Sequence, residues 1–352
     1  MSGFNLRSGG YWLGSIGFTD ALTTRFAWSQ EGGGFHEASW EMDLPLDFDH
    51  PALQRGALVE VMDGGLVVGQ GHLSEPGRIE SGKSFTAQGI YREAEHYLCF
   101  TGGGASTTIL DTAITSAISY GAPFTLPTSI ATSPMITADA VQGLNHLDVL
   151  ATSVAVEQGK RWFVDADGGF RMVANDTAPT WQMTPGTAYP GVADDDYATH
   201  LFARYNAAGT LTTRSKEDVA ASQHWGYRQF PVDLTPLGAI STTRVDNRLA
   251  GMLARGKARL SFTERIEVGP AQLLTAGGRP ADLSMIRGGQ VVRVHGLDSY
   301  SQWLNGLPYL DFVIGECEWI NGSDSIWLTP EQFSGRSLAD RLTVRGSGNL
   351  TA

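Results

Sequence analysis

At 352 residues the chain exceeds what a single hydrophobic core usually organises, so about two to four modules are expected, with ample core to bury. Hydrophobic residues make up 42% and charged residues only 18%, a balance that fits an ordered protein and leaves little room for long disordered tails. A formal net charge of -12 without any dense Lys/Arg run disfavours tight nucleic-acid binding, yet it suits a channel wall that must repel sliding phosphates.

Met1 to Ala21 has neither a basic segment followed by an apolar one nor an apolar run of about 18 residues, so secretion and membrane insertion are not expected and synthesis in a cytoplasm is. From about Ser15 to Ile90 the pattern is strand. Alternation over Ala38–Leu44 puts Trp40, Met42 and Leu44 on one face. Leu58 to Leu73 is two alternating runs around Asp63-Gly64-Gly65, residues that tolerate the positive φ of a tight hairpin. The same device recurs at Arg161 to Val173 around Asp167-Gly168-Gly169, and at Phe312 to Leu328 around Asn321-Gly322.

Gly102-Gly103-Gly104 closes the first strand-rich segment and opens onto a helix carrying Ile109, Ala113, Ile114, Ala117 and Ile118, stopped by Gly121 and Pro123. Ala122 to Met135, with three prolines, reads as a crossing loop. A second helix, Leu147 to Gln158, puts Leu147, Leu150, Ala151 and Val154 on one face. Ala178 to Asp194 is loop-like, Ala198 to Tyr205 a strand, and polar Ala207 to Ser222 a mobile excursion. A third helix, Thr243 to Arg255, faces the core with Val245, Leu249, Met252 and Leu253, closed by Gly256. Ala258 to Val268 and Gly289 to Leu328 return to strand. The fold class that follows is α+β and β-dominated, in the order sheet, mixed α/β, sheet.

Catalytic signatures are weak throughout. Gly102-Gly103-Gly104 lacks the Lys of a phosphate loop and reads as a hinge. Asp165-Ala166-Asp167-Gly168 resembles the opening of a calcium loop, but Phe170 and Asp176 stand where Gly and Glu are required, so a hairpin turn is favoured. Asp194, Asp195 and Asp196 form an acidic run that could meet a cation at a subunit contact, although a solvated loop is the plainer account. The eight histidines show no zinc spacing and no G-x-S-x-G is present. No catalytic residue, metal or cofactor is therefore assigned. Of nine tryptophans, Trp28, Trp40, Trp162, Trp319 and Trp327 fall in alternating strands and read as core, whereas Trp225 and Trp303 sit in polar surroundings and are interface candidates. Cys99 and Cys317 read as buried free thiols.

Three stretches carry a family resemblance: VEVMDGGLVVGQGHLSEP at Val59–Pro76, LDVLATSVAVEQGKRWFVDADGGFRM at Leu147–Met172, and VRVHGL followed by DFVIGECEWINGSDSIWLTPE at Asp311–Glu331. They resemble tail-tip or baseplate hub proteins of long-tailed bacteriophages, also called minor tail proteins. The motifs are diffuse and span about Ala38 to Glu331. The resemblance implies a structural, non-enzymatic virion protein of the tail tip, assembled in the host cytoplasm as a homotrimer. Two tube-like antiparallel β-barrel modules, at 1–100 and 257–352, would continue the tail tube and flank mixed modules at 101–180 and 181–256. Implied partners are the distal tail protein, the tape measure protein and other minor tail proteins, with phage DNA passing through unbound. A hexameric distal-tail adaptor, a carbohydrate-binding tip module and a cell-wall hydrolase are the competing readings.

Overall fold

The computed structural model describes residues 4–16, 24–29, 33–45, 47–80, 82–99, 107–127, 130, 135–137, 146–184, 190–192, 197–257, 260–262, 264–300, 304, 307–320 and 323–331. Strand dominates, as the alternation requires, and four helices stand among the described residues: α1 Leu110–Ser119, α2 Leu147–Glu157, α3 Val219–Trp225 and α4 Thr242–Gly256.

The first two hairpins form where the turn chemistry places them. Leu58–Asp63 pairs with Leu66–Leu73, and Lys160–Val164 with Phe170–Ala174, with Gly64 and Gly168 at φ of 56° and 76°. Asn321-Gly322 lies outside the described residues, but the strands on either side of it, Tyr309–Ile320 and Ile326–Pro330, pair antiparallel. Along Gly33–Met42 burial alternates, and Trp40, Met42 and the following Leu44 are all buried, with Trp40 stacked on Phe85 of the neighbouring strand at 5.5 Å.

The expected β-dominated class holds, but among the described residues no barrel closes. Sixteen strands join in one open, branched sheet, whose main path runs from Tyr11–Trp12 at one edge to Leu273–Thr275 at the other. The reason is a single long-range pairing. Thr24–Ser29, which could have closed the N-terminal strands on themselves, instead gives its outer edge to Tyr309–Ile320, with Trp28 opposite Cys317. One large hydrophobic core follows, containing Phe4 to Ala87 together with Trp181 to Leu328.

Helix α2 explains how the remaining segments attach. Leu147, Leu150, Ala151 and Val154 pack into a second core with α1 and the Lys160–Ala174 hairpin, as the helical spacing predicts. Its opposite face, Val149 and Val156, enters a third core with Val245, Leu249, Met252 and Leu253 of α4. A helix apolar all round belongs between two layers. The two helices approach closely because Gly251 of α4 lies against the Val156 carbonyl, where a Cβ would collide.

Two expectations fail locally. Ala207 to Ser222 is not an excursion: Thr210–Glu217 is a full strand pairing with His200–Ala207, and α3 follows, capped by the Asp218 carboxylate, which accepts from the Ala221 amide at 3.0 Å. Gln229–Asp233 adds a parallel strand on the other side, and α4 covers one face of the resulting sheet. Within Ala178 to Asp194, Trp181–Met183 is a short strand between Val291–His295 and Leu273–Thr275.

Candidate functional site

Of the interface candidates named in the sequence, only Trp225 lies among the described residues. It ends α3, is half-buried against the large core, and its carbonyl accepts from the Tyr197 hydroxyl at 3.2 Å. Trp303, Asp194, Asp195 and Asp196 lie outside the described residues, as do Gly102, Gly103 and Gly104.

Asp165 holds a hairpin. Its Oδ1 accepts from the amides of Asp167 at 3.1 Å and Gly169 at 2.7 Å, and its Oδ2 from Arg171 Nε at 2.7 Å. Trp28, Trp40, Trp162 and Trp319 are buried in the cores, and Trp327 is half-buried with the Arg265 guanidinium 4.6 Å from its ring centroid. Cys99 and Cys317 are buried free thiols, each pushed by desolvation up to about 12, far from a reactive thiolate. Among the described residues no group of three or more His, Cys, Asp or Glu is arranged to hold a metal ion, and no helix is long and apolar enough to cross a membrane.

The structure adds features that sequence reasoning missed. One is a cavity of about 320 Å³ where Trp28, the start of strand Gly33–Met42, strand Lys160–Val164 and the loop 287–290 converge. Arg161 and Arg287 both line it. Arg287 lies over the Trp28 ring, 4.3 Å from its centroid, and its Nη1 donates to the carbonyls of Ser284 at 2.6 Å and Ile286 at 2.8 Å. Burial pulls its guanidinium below the usual arginine value. Arg161 donates to the Gly289 carbonyl and contacts Asp176 at 3.4 Å. Two surfaces also stand out for their exposed aromatics. Tyr11 and Trp12, on the edge strand, are 54% and 45% exposed. On the uncovered face of the three-stranded sheet His200 stacks on Phe202 and bonds the Tyr227 hydroxyl.

No family model matches this chain, and no curated protein matches it in sequence. Solved structures do match. The 43 kDa tail protein of prophage MuSo2 from Shewanella oneidensis aligns over 94% of this chain and 98% of its own, with a TM-score of 0.62 at 14% identity. This chain has the fold of phage tail proteins. The tail protein from Neisseria meningitidis MC58 aligns over 96% of this chain and 98% of its own, with a TM-score of 0.61 at 12% identity. Prophage tail protein gp18 from Listeria monocytogenes EGD-e covers 97% and 99% of the two chains, with a TM-score of 0.59 at 11% identity. The tail-protein fold therefore extends over almost the whole length of each. At such identities the likeness resides in strand order and packing, which is why diffuse patterns were the only trace of it in the sequence.

Proposed function

We propose that the chain is a structural virion protein that forms the trimeric hub of a phage tail tip, continuing the tail tube and closing or guiding the DNA channel until ejection. The observation that carries this reading is the tail-protein fold combined with its unsatisfied edge. Among the described residues Tyr11–Trp12 pairs only with Asn5–Ser8, leaving a backbone edge flanked by two exposed aromatics. Such an edge recruits another chain unless it is covered, and a closed ring covers it. The net charge of -12 suits a lumen that DNA must traverse without sticking.

The division into 1–100, 101–180, 181–256 and 257–352 belongs to the same proposal. The first and last segments together build the wall, which accords with their shared core, and the middle two brace it. Distal tail, tape measure and other minor tail proteins are the proposed neighbours, assembly in the host cytoplasm precedes incorporation into the virion, and no catalytic role is assigned. Trp225, Trp303 and the Asp194, Asp195 and Asp196 run are the proposed interface residues.

Imaging of assembled particles tests the reading. Threefold density at the tail tip, with three copies by native mass measurement, is the expected result. Sixfold density would make the chain a distal-tail adaptor. Sugar or peptide release from host cell wall that vanishes on changing a single Asp or Glu would replace the structural role with a hydrolytic one.

A further inference from the structure

Two arginines converge on one cavity in a chain whose net charge is -12. Taking a guanidinium out of water without a counter-ion is costly, so buried arginines normally come with a carboxylate. Arg287 does not. Among the described residues no carboxylate lies within ion-pair distance of it. Its Nη1 is used on two carbonyls, and its Nε and Nη2 hydrogens meet no acceptor there. Arg161 is anchored by the Gly289 carbonyl and only loosely by Asp176, which leaves its Nε likewise open among the described residues. Among the described residues the one carboxylate lining the cavity, Asp165, is committed to two backbone amides and to Arg171.

The remaining walls set the shape of the guest. Trp28, Phe35, Val68 and Phe163 supply apolar surface beside the arginines, and about 320 Å³ falls at the lower end of small-ligand sites. A carboxylate is planar, singly charged and matched to the guanidinium fork. A phosphate dianion would meet more repulsion from Asp165. We propose that this cavity binds a carboxylate carried on a small apolar body, with Arg287 and Arg161 as its anchors and Trp28 as its floor. The carboxylate can arrive on a free small molecule or on the end of a neighbouring polypeptide; the recognition chemistry is the same. The inference does not depend on the number of subunits in the proposed hub.

Isothermal titration of the full-length protein decides it, using sodium benzoate, a tripeptide ending in free phenylalanine, the same tripeptide as its amide, and inorganic phosphate, all at one ionic strength. Saturable one-to-one binding is expected for benzoate or the free-acid peptide, with none for the amide or phosphate. Benzoate binding as tightly as the peptide identifies a free small carboxylate as sufficient, whereas binding by the free-acid peptide alone identifies a polypeptide source. Arg287→Gln is expected to weaken binding at least tenfold. Arg161→Gln, at a partly exposed side chain, should weaken it similarly and keeps the test valid if the Arg287 variant does not fold. The proposal is overturned by the absence of saturable binding to either carboxylate, by tighter binding of phosphate, or by unchanged affinity in Arg161→Gln.

Discussion

The large sheet and the segment 197–257 differ in the balance between apolar burial and ion pairing. The sheet core is an aromatic and aliphatic interior, with Trp28, Trp40, Phe85 and Trp319 buried between strands whose backbones satisfy one another. The segment 197–257 has a smaller apolar interior and a rim of ion pairs: Arg204 to Asp233 at 2.6 Å, Arg214 to Asp246 at 2.8 Å and Lys257 to Asp218 at 2.8 Å. At its junction with α2 one carboxylate, Glu157, accepts from Arg244 at 3.0 Å and Arg248 at 3.1 Å, and Arg248 is only 3% exposed. The large sheet carries ion pairs as well, Arg7 to Glu60 at 2.5 Å, Arg265 to Glu318 at 2.7 Å and Arg293 to Asp311 at 2.7 Å, but they flank a far larger apolar core, so ionic conditions should touch the segment 197–257 relatively more.

If the comparison is right, the most damaging single change falls in the sheet. Trp40→Ala removes a side chain that is 1% exposed and stacked on Phe85, leaving a cavity the rigid ladder cannot collapse. A loss of about 3–5 kcal/mol in denaturant unfolding is expected. Glu157→Gln comes next, at about 3 kcal/mol, because it leaves the buried Arg248 without its carboxylate. The two should differ in reach. Hydrogen exchange is expected to rise throughout Gly33–Met42 in the Trp40 variant, whereas the Glu157 variant should expose mainly α4 and its contact with α2. Equal exchange in both regions from the Glu157 variant would erase the distinction between the large sheet and the segment 197–257.

How much of this was legible depended on whether a feature is local. Hairpin turns write themselves into Asp-Gly dipeptides, and α4 announces its buried face through Val245, Leu249, Met252 and Leu253, all four of which are buried. Helix α2 was half legible: the face turned to the second core has helical spacing, but Val149 and Val156 serve another core that no local window can see. Thr210–Glu217 was missed because its side chains are polar or exposed on both faces, so alternation is lost, and only its run of threonines hinted at strand. The pairing of Thr24–Ser29 with Tyr309–Ile320, which decides that the sheet stays open, links opposite ends of the chain. The cavity is illegible for the same reason, since Arg161 meets Gly289 across 128 positions.

The smallest effect expected is a pH dependence confined to the segment 197–257. Asp218 lies below the usual carboxylate range through its hydrogen bond from Lys257, helped by the Ala221 amide. Burial would raise Asp233, but hydrogen bonds from Arg204 and Thr235 outweigh it and the net shift is downward. Asp246 is lowered by its hydrogen bonds from Arg214. A carboxylate with a depressed pKa in the folded state binds fewer protons there than when unfolded. Its contribution is therefore complete above the unfolded value of about 4 and disappears as pH falls through the lower folded values. These groups lie near the surface, so screening keeps each contribution small and salt should reduce it further. Exchange in His200–Ala207 and α4 is accordingly expected to accelerate, relative to the intrinsic rate, as pH falls from about 4 towards 2, while Gly33–Met42 keeps its protection over the same interval. Loss of protection in both regions at the same pH would mean that acid acts on the shared α2 contact and not on the rim, and the ion pairs would then be surface decoration on a single cooperative unit.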